Sequence, residues 1–212
     1  MQIQEKKMKT TKSIATLLCL TGLLASGAAL AQDTRFYAGF SAGQARPSFD
    51  STPAVASGFP VTYDSSAGAW KAFGGFQFTK YIGVEGAYYR FGSYNAAVNT
   101  PAGYLYTSIE ATGWGAVLTG TIPLGKDFSL TGRAGETYVR ETRGNCVVCA
   151  APVTSSSSNI WSPTFGVGLK YDFTPNWSAR AEYEHFTKIG SSNDSTFGGK
   201  VNLYTAGVAY RF

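Results

Sequence analysis

Arg180, Glu182 and Glu184 stand at every second position of one stretch, and the alternate positions hold Trp177, Ala179, Ala181 and Tyr183. A period of two places each row on its own face of a strand, charged on one side and apolar on the other. Glu85, Arg133 and Lys170 fall on small or polar rows of other alternating stretches. Together the six make three charges of each sign. Charges withdrawn from water are tolerable when paired, so the set reads as a sealed polar core of salt bridges. The alternative chemistry is a gated, low-conductance pore, in which Glu85 or Glu182 exchanges partners among Arg133, Lys170 and Arg180.

Two further groups could do chemistry. Cys146-Val147-Val148-Cys149 has the spacing of a redox pair, but a thioredoxin-like thiol needs a helix N-terminus after a strand. Gly144-Asn145 before it and Ala150-Ala151-Pro152 after it read as loop. A zinc site would need two more ligands, and the one histidine, His185, lies on another stretch. A small disulfide at a loop tip in an oxidising compartment fits better, and its short ring contributes little to stability. His185, with Thr187, Ser191 and Ser192 beyond it, raises the one enzymatic alternative. No phosphate-cradling glycine motif, catalytic carboxylate pair or metal-ligand cluster stands out, so the expectation is a non-enzyme without cofactor or metal.

Lys6, Lys7, Lys9 and Lys12 precede an apolar run from Ile14 to Leu24, and Ala29-Leu30-Ala31 supplies an A-x-A cleavage motif. This is the pattern of a secretory signal peptide, and the run is too short to span a membrane. Residues 1–31 are the expected signal, cleaved after Ala31, with Met1 or Met8 as the start; residues 32–212 are the mature domain. Removing 1–31 takes four of the eighteen basic residues and one of the thirteen acidic ones, leaving a net charge of +2. That small balance gives no footprint for nucleic acid.

Eight alternating segments follow, over residues 36–45, 70–78, 82–91, 107–122, 128–140, 161–173, 177–186 and 201–212. Tight turns at 79–81, 123–127 and 174–176 alternate with long connections at 46–69, 92–106, 141–160 and 187–200, which are rich in Ser, Thr, Asn, Gly and Pro. Short periplasmic turns alternating with long extracellular loops is the layout of an outer-membrane barrel. Large apolar residues such as Trp114, Leu118, Ile122, Phe165, Val167 and Leu169 oppose rows of Gly, Thr and charge. That is a soluble core turned inside out. Trp70, Tyr81, Tyr88, Tyr89, Trp161, Tyr171, Trp177, Tyr210 and Phe212 are expected in the two aromatic girdles at the membrane surfaces.

From Ser162 to Glu184, with its Thr174-Pro175 turn and Arg180-Ala181-Glu182-Tyr183 strand, and again at Phe128–Gly135, the chain resembles the OmpA-like transmembrane domain. The resemblance implies an all-β, eight-stranded antiparallel up-and-down transmembrane barrel, without the family's periplasmic peptidoglycan-binding domain. It also implies that salt-bridge switching is available to the interior charges. Tyr204, Val208, Tyr210 and Phe212 resemble the C-terminal signal read by the outer-membrane assembly machinery. Lipid A deacylase barrels place an H-x-S pair on their outer wall; here Thr187 stands at the matching position and the continuation of that motif is missing.

The sequence therefore predicts a bacterial outer-membrane protein with a structural or surface-interaction role through four extracellular loops. The alternative is a small ion channel gated by interior salt bridges, and the third reading is a lipid A-modifying enzyme. Expected partners are outer-membrane lipid, lipopolysaccharide, the assembly machinery and an extracellular ligand bound by the loops.

Overall fold

The computed structural model describes residues 36–49, 61–63, 66–100, 103–147, 154–189 and 199–212. The expected signal peptide, residues 1–31, lies outside them. Every regular element described is a strand: β1 (Phe36–Phe49), β2 (Val61–Tyr63), β3 (Ala67–Gln77), β4 (Ile82–Thr100), β5 (Gly103–Pro123), β6 (Phe128–Val147), β7 (Thr154–Asp172), β8 (Trp177–Ile189) and β9 (Gly199–Arg211). Leaving aside the short β2, eight strands pair antiparallel with their chain neighbours, and β1 closes the cylinder against β9. Closure satisfies every backbone donor along the ladder without leaving an edge, as a bilayer requires. β2 pairs antiparallel with β4 at Ala96–Val98, on the edge of β4 that β3 covers nearer the turns.

The register fixes the barrel's geometry. From Arg46 the paired partners run through Asn202, His185, Phe165, Ala134, Leu118, Val84 and Phe76, and meet β1 again at Phe36, ten residues from the start. A shear of ten on eight strands tilts them by about 40° to the axis.

Tight turns close one end, as the Thr-Pro-Asn and Thr-Lys-Tyr sequences require. Thr174 Oγ1 accepts the amide of Trp177 at 2.9 Å, and Thr79 Oγ1 accepts those of Tyr81 and Ile82 at 3.2 and 3.1 Å. Asn176 ties this end to the closing strand: its side-chain amide donates to the Arg211 carbonyl at 2.9 Å, and its own carbonyl accepts from Arg211 N at 2.7 Å.

At the other end the strands outrun the sequence reading. β4 continues to Thr100 and β5 begins at Gly103, while β6 runs to Val147 and β7 begins at Thr154. Much of the connections predicted at 92–106 and 141–160 is therefore paired hairpin, in which Ser- and Thr-rich sequence does not break the ladder. The β4 ladder shifts register between Arg90 and Ser93, where Gly92 adopts φ +83°. That conformation suits glycine, and a bulge there bends the strand.

The outward rows are apolar. Trp114, Leu118, Ile122, Val167 and Phe165 are all more than half exposed. Aromatic girdles mark both ends, with Trp114, Tyr138 and Trp161 in mutual contact on the loop side (5.3–5.8 Å between ring centres). On the turn side Trp177 meets Tyr210 at 5.1 Å, and Tyr210 meets Phe212 at 5.2 Å. Tyr89 is a correction to the predicted girdle: it points into the lumen and is buried. Adjacent strand residues face opposite ways, so Tyr88 and Tyr89 cannot both meet lipid.

Candidate functional site

The lumen holds the charges. Glu85 from β4, Arg133 from β6, and Arg180 and Glu182 from β8 converge at mid-height, as the alternation placed them, and Glu184 joins them. Arg133 is the hub. Its guanidinium pairs with Glu85 at 3.1 Å, with Glu184 at 2.8 Å and with Glu182. Arg180 holds Glu85 at 2.8 Å and approaches Glu182 at 3.7 Å. Tyr37 donates its hydroxyl to Glu85 at 3.0 Å.

The third cation is one the sequence reading missed. Lys71 on β3 pairs with Glu182 at 2.6 Å and with Glu184, and is fully buried. Lys170 does not join; it sits toward the turns and pairs with Asp172 at 2.9 Å. Three cations against three carboxylates is thus preserved with a different member. Lys71 was concealed because its row also carries Phe73, which makes both faces of β3 look apolar. That aromatic has a use: Lys71 Nζ lies 5.3 Å from the Phe73 ring centre, and the Arg180 guanidinium lies 4.8 Å from it and 4.6 Å from Tyr37. Aromatic faces stabilise cations in a dry interior.

Inward glycines make room for these long side chains. A Cβ on Gly166 would sit 2.8 Å from Arg133 Cγ and 2.7 Å from the Tyr183 carbonyl.

Above the charges, toward the loops, the lumen becomes apolar. Tyr89 and Phe91 stack at 5.7 Å, and Phe186 meets them edge-on at 5.3 and 4.8 Å. Val139, Leu203 and Ala111 pack around them, all buried. The predicted interior was polar throughout; the structure has two chemistries in sequence. Cavities flank them: one of about 30 Å³ below the charges, beside Arg180 and Lys170, and one of about 40 Å³ above the aromatics, beside Tyr94 and Ile109. Each holds about a water molecule or two.

On the outer wall His185 faces lipid. Its Nδ1 lies 2.7 Å from Asn202 Oδ1, which also accepts the Tyr183 hydroxyl at 2.9 Å. The Thr187 hydroxyl donates to the Pro163 carbonyl at 3.2 Å. His185 Nδ1 and the Thr187 hydroxyl thus have partners on neighbouring strands, while Ser191 and Ser192 of the enzymatic alternative lie outside the described residues. Cys149 and the Cys146 side chain lie outside the described residues. Among the described residues, no cluster of His, Cys, Asp and Glu is gathered that could hold a metal ion.

A closed, antiparallel, eight-stranded cylinder with an apolar exterior, two girdles and a packed polar centre is an outer-membrane β-barrel. Residues 15–212 match the family model of the outer membrane protein beta-barrel domain, and the chain belongs to that family. It is 29% identical over 206 residues to outer membrane protein A of Salmonella typhi, covering 97% of this chain and 56% of that protein. Outer membrane protein P5 of Haemophilus influenzae is 28% identical over 225 residues, covering 95% and 60%. The chain therefore spans just over half the length of these curated relatives. Among solved structures, Ail of Yersinia pestis superposes with a TM-score of 0.54 at 16% identity, covering 85% of this chain and all of that one. OprG of Pseudomonas aeruginosa gives 0.52 at 18% identity, covering 84% and 94%. Both share the barrel fold. This chain is accordingly an OmpA-like protein of the Gram-negative outer membrane.

Proposed function

We propose that this barrel is a non-conducting, non-enzymatic anchor that presents its loop-side hairpins for structural or adhesive contact at the cell surface. The observation that carries the reading is the filled lumen. A salt-bridged layer and an aromatic layer succeed one another along the axis, and the spaces beside them are a few tens of cubic ångströms. The extended hairpins β4–β5 and β6–β7 supply the surface that remains. Export through residues 1–31 complements this reading, as does recognition of Tyr204, Val208, Tyr210 and Phe212 by the assembly machinery. Lipopolysaccharide is the lipid expected around the outer half of the wall.

Vesicles carrying the refolded barrel should adhere to extracellular matrix or to target cells, and lose that adhesion after protease shaving that leaves the membrane-embedded strands intact. Adhesion equal to that of empty vesicles would overturn the adhesive role and leave only the structural one.

A gated pore is the second reading, and one observation favours it. Glu85 touches both Arg133 and Arg180, and Glu182 touches all three cations. Partner exchange therefore needs side-chain rotation and no movement of strands. In this reading conduction would also require the aromatic layer to move.

A further inference from the structure

The outer wall is not uniform, and one sector of it is built in three tiers. Arg46, Asn202 and His185 are consecutive partners across β1, β9 and β8. Two residues nearer mid-membrane the same strands align Gln44, Tyr204 and Tyr183, and two further still Ala42, Ala206 and Ala181. Each tier lies about 7 Å from the next along the strands. The alanines floor a groove of about 810 Å³ that opens to the bilayer, with Tyr183 and Tyr204 at its upper end and Val167, Leu169 and Leu130 along its far side.

Charge distinguishes this sector from the rest of the wall. Among the described residues the outward rows of β1, β9 and β8 carry Arg46 and Lys200 with no carboxylate, whereas those of β3 and β7 carry no charge and on β4, β5 and β6 Arg90 and Arg140 are offset by Glu110 and Glu136. Arg46 borders the groove, its guanidinium lying 5.6 Å from the centre of the Tyr204 ring. That contact orients the cation at the upper girdle, where lipid headgroups begin. Lys200, exposed, follows on β9. The Tyr183–Asn202–His185 hydrogen bonds fix a polar rim beside it.

We infer that this sector of β1, β9 and β8 binds one phosphate-bearing, multiply acylated glycolipid of the outer leaflet, lipid A in class. The acyl chains lie in the alanine-floored groove, and the phosphate meets Arg46 and the polar rim. Charge complementarity selects this occupant: an apolar groove alone would accept any acyl chain or a second barrel, but a rim that among the described residues carries cations and no carboxylate, at headgroup height, selects an anionic head. The inference rests on the outer-membrane setting and is independent of what the loops contact. Its test can therefore fail while adhesion persists, and the reverse.

The full barrel is reconstituted in phosphatidylcholine vesicles with or without lipid A, extracted gently, and weighed intact by native mass spectrometry. Heat-modifiable gel mobility confirms that each variant is folded. The native barrel should retain one lipid A. Filling the groove with A181L/A206L should lower retention about tenfold, and R46A about fivefold, through lost contact area and one lost cation near an anionic head. A116L, on the outward row of β5 at the opposite wall, should change nothing. Dephosphorylated lipid A offered to the native barrel should match the loss seen for R46A, and this arm needs no mutation. Retention indifferent to all these changes would overturn the assignment. So would barrel dimers cross-linked through A206C in place of bound lipid.

Discussion

Two layers of the same lumen, a few residues apart on the same strands, hold together by opposite means. The lower layer takes Glu85 from β4, Arg133 from β6 and Glu184 from β8; the upper takes Tyr89, Val139 and Phe186 from those same three strands. In the lower layer each group is buried because another neutralises it, so the layer is only as sound as its pairing. In the upper layer each group is buried on its own account, and the loss of one costs what its volume and contacts are worth. The barrel thus combines a layer sensitive to single charge changes with one that responds in proportion to size.

Mutations should separate the two layers, the largest effect first. Arg133 touches three carboxylates, so R133A should destabilise the folded barrel by about 3–5 kcal/mol, the range for breaking a buried ion network. Denaturant unfolding in lipid vesicles, followed by tryptophan fluorescence, would measure it. F186A empties part of the aromatic layer and should cost about 3 kcal/mol by the same assay, within the range for buried Phe truncations. A loss under about 1 kcal/mol would mean that this layer is loosely packed.

Neutralising Lys71 and Glu184 together should be milder than the sum of K71M and E184Q by at least about 1 kcal/mol, because each single change strands a partner. Strict additivity would place the two side chains in separate networks. The smallest effect belongs to K170A, at about 0.5 kcal/mol. Its partner Asp172 is partly exposed and also lies 3.8 Å from Arg211.

The contrast between layers also marks what the sequence could reveal. Strand alternation placed Glu85, Arg133, Arg180 and Glu182 on the inner face, because their neighbours Ala179, Ala181, Ala134 and Val84 are plainly apolar. The same rule hid Lys71, since Phe73 follows it on the inner row and Trp70 on the outer row is no more apolar. It also placed Lys170 in the network, because a period of two gives the face and not the height. Height comes from the shear, which only the register between strands reveals. Tyr89 was lost to the girdle for a related reason: two adjacent tyrosines carry no mark of which one meets lipid. The hairpin extensions could not be read at all, since above the membrane nothing forces alternation and Ser, Thr and Asn serve strand and loop alike.

Two packed layers in series should each block the lumen, so that removing one leaves the other as a seal. Single-channel recording in planar bilayers tests it with four proteins: the native barrel, F91A/F186A, E85A/R180A and the quadruple combination. The first three should be electrically silent, and the quadruple variant should conduct. Steady ion conductance through the folded native barrel, or through F91A/F186A alone, would contradict the claim.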